Sequence, residues 1–152
     1  MIEGKKKFKR INGFTLIEVI VILLLIGLFS TAALSRYSST NPFKLLKETE
    51  TLKNHLYHAR VRSMGDDVQW DIKISAGSYT LEKDGLTAPV NLPGEDSPAH
   101  SLSNGVTVTT GAGSTVYFDK WGSPGPADIN IILELGTESR NITITKNTGF
   151  IE

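Results

Sequence analysis

From Phe14 to Leu34 the chain reads FTLIEVIVILLLIGLFSTAAL, 21 residues with a single charge, Glu18. As a helix rising about 1.5 Å per residue, such a run reaches across the ~30 Å hydrocarbon core of a bilayer. It takes that length away from any soluble core, so a chain of 152 residues keeps room for one small domain beyond it. The residues before the run hold Lys5, Lys6, Lys7, Lys9 and Arg10 against Glu3, a net of +4. By the positive-inside rule this cluster stays cytoplasmic and everything after Leu34 lies outside the cytoplasm. The whole chain has 16 basic and 16 acidic residues, so residues 14–152 keep 11 and 15, a net of −4. No cysteine is present, which excludes a disulfide framework, a thiolate metal site and a cysteine nucleophile. Two ordinary readings of the apolar run are a cleaved secretory signal, with Thr31-Ala32-Ala33 as small residues, and an uncleaved anchor.

Glu18 separates these readings from a third. A carboxylate within an apolar helix costs on the order of 2.5–3.5 kcal/mol on insertion scales, and a generic signal has no reason to keep one. With its flanks, KKKFKRINGFTLIEVIVILLLIGLF resembles the class III signal of type IV pilins and type II secretion pseudopilins. That resemblance implies cleavage by a prepilin peptidase after Gly13, an N-methylated Phe14 as the first mature residue, and an assembly role for Glu18 at the fifth mature position. The physics is consistent: in a filament core of low dielectric, the new ammonium on Phe14 and a carboxylate from a neighbouring subunit offset each other's desolvation. Where many pilins carry a proline eight residues after the glycine matching Gly27, this chain has Ser35. Its next proline is Pro42, preceded by the weak helix formers Ser38, Ser39, Thr40 and Asn41, and a kink or break is expected there.

After Pro42, Leu45, Thr49, Leu52, Leu56 and Ala59 recur at spacings of four and three, one stripe of an amphipathic helix. The pattern predicts that Gly65 stops it in the left-handed conformation, with Arg60 and Arg62 in the last turn. From there the period becomes two, and strands are predicted at 68–75, 78–83, 106–110, 115–119, 129–135 and 141–146. Ala76-Gly77 reads as a hairpin, and residues 111–114 and 136–139 as turn-like connections. Loops are expected at 87–104 and 119–128, where prolines and glycines concentrate. Trp121 on the second loop reads either as an exposed anchor for a partner or as a cover for a sheet edge. The stretches HARVRSMG, VYFDKWG, INIILEL and RNITITKNTG, with Gly122 and Gly149, resemble minor pseudopilins of the GspH/FimT type, which implies antiparallel sheets on a spine helix.

No catalytic constellation accompanies His55, His58 and His100, so the chain is not read as an enzyme and no cofactor is expected. His55 and His58 stand three apart on the helix, as metal ligands can, but no third ligand of matching spacing follows, and no metal site is assigned. Asp66-Asp67 and Glu95-Asp96 lack the ligand-alternating loop of a calcium site and read as solvated acids. DNA capture, known among FimT-like minor pilins, needs clustered basic residues. The end reads ITITKNTGFIE, with Lys146 alone and Glu152 beyond it, which makes DNA an unfavoured partner.

The expected organisation is a leader at 1–13, a transmembrane and polymerisation helix at 14–34, its amphipathic continuation at 35–65 with a kink near Pro42, and a β-rich globular domain at 66–152. The fold class is α+β, a long N-terminal spine helix, transmembrane in its first half, packed against antiparallel sheet, as in pilins. The resemblance implies a minor pseudopilin of a type II secretion filament, or alternatively a type IV pilus minor pilin serving assembly, adhesion or DNA uptake. It also implies a single-pass inner-membrane location with the C-terminal domain periplasmic or extracellular. The partners it implies are the prepilin peptidase, other pilin-like subunits through the N-terminal helix, and an inner-membrane assembly platform.

Overall fold

The computed structural model describes residues 14–37, 41–66, 68–88 and 90–152, without the side chains of 31–37 and 41. Two compact units result, Met1–Ser39 and Thr40–Glu152. In the first, helix α1 runs Leu16–Tyr37. In the second, helix α2 runs Asn41–Asp66 and is followed by eight strands. Pro42 is the second residue of α2, where its missing N–H is one the helix would leave unpaired anyway. Of the stretch where a kink near Pro42 is expected, residues 38–40 lie outside the described residues.

The predicted stripe is the buried face of α2: Leu45, Thr49, Leu52, Leu56 and Ala59 are all buried. Thr49 turns its hydroxyl back to the Leu45 carbonyl at 2.7 Å, so a polar group sits in this stripe without an unpaired donor. The helix does not stop at Gly65 but continues through Asp66. Arg60 and Arg62 therefore lie before the last turn, and each has a specific partner in place of the helix dipole. Arg62 pairs with Asp66 at 3.8 Å, and Arg60 reaches across to two carbonyls described below.

Strands β1 (Trp70–Ile74), β2 (Ser78–Lys83), β3 (Leu86–Thr87), β4 (Ala99–Ser101) and β6 (Thr115–Phe118) form sheet A. Its order is β3-β2-β1-β6, with β4 sharing the outer edge of β2 with β3. Strands β5 (Thr107–Thr110), β7 (Ile129–Leu135) and β8 (Glu138–Ile144) form sheet B, in the order β5-β7-β8. All pairings are antiparallel. Ser75, Ala76 and Gly77 close the β1–β2 hairpin, with Ser75 N–H bonded to the Ser78 carbonyl. Residues 111–114 do not close a hairpin: β5 pairs with β7 and β6 with β1, so this connection carries the chain from sheet B to sheet A. The turn between β7 and β8 is only Gly136-Thr137, since β8 already begins at Glu138. The region expected to be loop, 87–104, contributes β4 and the end of β3.

Both sheets turn alternate apolar side chains toward α2, which packs on β1, β6, β7 and β8. Ile72, Leu81, Val116 and Phe118 from sheet A and Ile131, Leu133, Ile142 and Ile144 from sheet B are fully buried with Leu52 and Leu56. Ser63 fixes the exit of the helix: it accepts the Trp70 N–H at 2.9 Å, and the Trp70 indole N–H reaches Asp66 at 3.1 Å.

Candidate functional site

The first unit presents the residues that the sequence singles out for processing and assembly. Gly13 lies outside the described residues. Phe14 is 76% exposed, and Thr15 caps the helix: the Glu18 N–H donates to the Thr15 hydroxyl at 3.3 Å and the Val19 N–H to the Thr15 carbonyl at 3.2 Å. Thr15-x-x-Glu18 is the pattern of a capping box, and it places the acid of Glu18 in the first turn, where a helix dipole favours negative charge. The sequence reading missed this cap, although the Thr15-x-x-Glu18 spacing shows it. Along the rest of the described helix, Leu16, Ile17, Val19 and Ile20 through Ile26, then Leu28 and Phe29, are all exposed. Successive residues point around the whole circumference, so the helix has no polar face to leave in water and needs lipid or other helices on every side. Ser30 does not interrupt this, because its hydroxyl bonds back to the Ile26 carbonyl at 2.7 Å. Among the described residues no helix is long and apolar enough to cross a membrane.

In the second unit, the segment 90–104 is held to α2 by a buried polar cluster that sequence reasoning did not find. Glu48, on the buried face of α2, accepts from the Ser103 hydroxyl at 2.5 Å and from His100 Nε2 at 2.8 Å. His100 Nδ1 meets Glu95 at 2.6 Å, so the doubly protonated ring satisfies both carboxylates and a neutral ring satisfies one. Burial pushes the Glu48 carboxyl up, but the hydrogen bonds and the charge of the His100 ring outweigh it and hold the group below the usual carboxylate range. Beside them His55 bonds the Tyr79 hydroxyl through Nδ1 at 2.8 Å and the Pro93 carbonyl through Nε2 at 3.0 Å. A carbonyl only accepts, so Nε2 carries the proton and Nδ1 accepts from Tyr79. Burial pushes the His55 ring below its ordinary range and the Tyr79 phenol above its own. The Tyr79 and His100 rings stack at 5.0 Å. Through Glu48 and His55 the cluster ties β2, β4 and the segment 90–104 to α2. Glu95 is thus a partner of His100, and Asp66 of Trp70 and Arg62. Among the described residues no three His, Cys, Asp or Glu side chains are placed to hold a metal ion.

Arg60 forms a second clamp. Its Nε donates to the Gly122 carbonyl at 3.1 Å and its terminal nitrogen to the Thr148 carbonyl at 2.9 Å. The loop 119–128 is thereby bound to the C-terminal segment, which also gives the Asn147 N–H to the Gly125 carbonyl. Trp121 at the tip of that loop is 75% exposed, so it covers no sheet edge; Lys120 lies over its ring at 5.6 Å. Lys146 is exposed, and its N–H donates to the Asp128 carboxylate, which sets an acid beside the basic residue of the C-terminal run.

Residues 8–34 match the prokaryotic N-terminal methylation motif. The fold is similar to that of the type IV minor pilin FimU of Pseudomonas aeruginosa PAO1 in two crystal forms. One gives a TM-score of 0.56 at 17% identity over 74% of this chain and 90% of the crystallised FimU chain, the other 0.53 at 17% over 71% and 90%. Comparison with the curated proteins finds no match. The chain thus carries the methylation motif at its N-terminal end and, beyond it, an α+β fold similar to that of a type IV minor pilin.

Proposed function

We propose that the chain is a structural, non-enzymatic minor subunit of a pilin-like filament, anchored in the inner membrane by residues 14–34 before assembly and carrying unit 40–152 outside the cytoplasm. The observation that carries this reading is the methylation motif at 8–34 running into a helix that exposes apolar side chains on all sides. Such a surface suits lipid in the membrane and neighbouring helices in a filament. Prepilin peptidase cuts after Gly13 and methylates Phe14. Glu18 then pairs with the Phe14 ammonium of an adjacent subunit, and the inner-membrane platform draws the subunit into the filament.

Two settings suit such a subunit. The first is the short filament of a type II secretion system, in which this chain is a minor pseudopilin. The second is a type IV pilus, the setting of the minor pilin FimU whose fold is similar. Deleting the chain separates them: loss of a secreted protein with pili intact indicates the first, and loss of pili or twitching the second. The test common to both is mass spectrometry of the chain expressed with a prepilin peptidase. The expected mature N-terminus is methylated Phe14; an intact leader or a cut after Ala33 rules the reading out.

A further inference from the structure

Strand β8 is an edge of sheet B, and only half of that edge is covered. The covered half is filled by the C-terminal segment. Thr143 exchanges both main-chain hydrogen bonds with Glu152, and the Thr145 N–H donates to the Phe150 carbonyl, making an antiparallel bridge between Ile144 and Ile151. These bonds show which residues of β8 turn their peptide groups away from β7. In an antiparallel ladder that direction alternates, so Thr143 and Thr145 are followed down the strand by Asn141 and Ser139. The outward N–H and C=O groups of Asn141 and Ser139 take no main-chain partner among the described residues, and residues 138–141 are all exposed.

The same four residues form one wall of a groove of about 430 Å³ whose other wall is Thr49, Glu50 and Lys53 of α2. Ile142 and Ile144 face the core, so period two places Arg140 and Glu138 on that side of the strand, at the groove. Lys53 pairs with Glu50 at 3.5 Å, whereas Arg140 and Glu138 make no ion pair among the described residues. A row of open peptide groups is satisfied in register only by another extended main chain, and this edge already accepts one.

We propose that the open half of the β8 edge docks an extended segment of a partner protein, which joins sheet B as an antiparallel strand and sets an acidic side chain opposite Arg140 and a basic one opposite Glu138. The two charges deter indiscriminate edge pairing and select the partner. A second copy of this chain fits poorly. Two β8 edges can use both Ser139 and Asn141 only by placing Arg140 opposite Arg140, and like charges directly opposite each other destabilise a sheet. The next register runs into the turn at Thr137 and leaves one complete pair.

The test uses the full-length, isotope-labelled chain in detergent micelles and a capped peptide, Thr-Asp-Val-Lys-Thr, with Thr-Lys-Val-Asp-Thr as its charge-exchanged control. The first peptide is expected to shift the Ser139 and Asn141 amide resonances and slow their hydrogen exchange, and the control to bind several-fold more weakly. Ser139→Pro removes one outward N–H at an edge position that tolerates proline and should abolish binding, while Ser139→Ala should keep it. Arg140→Glu leaves the main chain intact and should weaken binding of the first peptide, which covers the case of a misfolded proline variant. No response at Ser139 and Asn141 to millimolar peptide, or equal binding of both peptides, overturns the proposal. Self-association of the chain that Ser139→Pro or Arg140→Glu removes overturns it in favour of a second copy.

Discussion

Gly149 lies so close to the Gly122 carbonyl oxygen that a Cβ on it would overlap that atom. Both glycines have positive φ, 64° and 75°, and both lie against the Arg60 side chain. A Cβ at Gly122 would stand 2.8 Å from Met64 Sδ and 2.9 Å from Arg60 Nε, atoms of two long side chains, of which Arg60 shifts against its bond to the Gly122 carbonyl. Gly149→Ala meets main chain and Gly122→Ala meets side chains, so the two substitutions should differ. The left-handed backbone alone costs about 1–2 kcal/mol for alanine. Gly122→Ala is expected to lose about that much in urea unfolding, and Gly149→Ala clearly more, because a peptide group must move. Equal losses would show that the loop 119–128 yields as easily as the side chains do.

Acid should loosen the segment 90–104. The His55 ring is held below its ordinary value near 6.5 and Glu48 below its ordinary value near 4.5. For each, the unfolded chain binds the proton first, so stability present above the unfolded value is lost as pH falls through the folded one. The loss begins with His55 below about pH 6.5 and continues with Glu48 below about pH 4.5. Asp71 works in the opposite sense, since burial raises its carboxyl and its unfavourable ionisation is relieved in acid. Urea midpoints measured from pH 8 to 4 should therefore fall, and Glu48→Gln should flatten the lower limb. A midpoint independent of pH would show that the cluster is not kept in the folded protein.

Trp121→Ala should change stability by less than about 0.5 kcal/mol, as exposed positions without packing partners do. Lys120 lies over the exposed ring, and the main-chain N–H of Trp121 donates to the Asp119 carboxylate, a bond that alanine keeps. A larger loss in thermal unfolding would show that the indole covers the sheet after all.

The helix stripe and six of the strands were legible because periodicity is local. Leu45 to Ala59 repeat on one face, and the strands from Trp70 to Ile144 alternate over four to seven residues. The strands β3 and β4 were not legible, since two and three residues among prolines carry no period and pair only because β2 offers them an edge. The sheet change at 111–114 depends on which distant strand each neighbour meets, and glycines signal the turn without its destination. Gly65 invited a stop, yet the helix continues through it to Asp66, which pairs with Arg62 and Trp70. The Glu48–His100 and Arg60–Gly122 contacts join residues 52 and 62 positions apart, beyond any motif. The methylation motif at 8–34 was legible because its residues are contiguous.

Glu18 now has two candidate roles, and its variants separate them. The Thr15 hydroxyl caps its main-chain N–H, and a reciprocal bond from the Glu18 side chain to the Thr15 N–H would complete a capping box, which glutamine serves as glutamate does. As an assembly residue it needs its charge, to pair with a neighbouring subunit's Phe14 ammonium where little water is present. Glu18→Ala removes both functions, Thr15→Ala removes the cap alone, and Glu18→Gln removes the charge alone. Leader cleavage and membrane insertion should be normal in all three, because an apolar or neutral residue lowers the cost of inserting the helix. Incorporation into sheared or cross-linked filaments, measured beside the level in the membrane fraction, should be lowest for Glu18→Ala and intermediate for Glu18→Gln. It should be near normal for Thr15→Ala, since lipid or neighbouring helices sustain a long apolar helix without one cap. If Glu18→Gln assembles normally while Thr15→Ala and Glu18→Ala fail alike, Glu18 acts through the cap, and the Phe14 ammonium finds its counter-charge elsewhere.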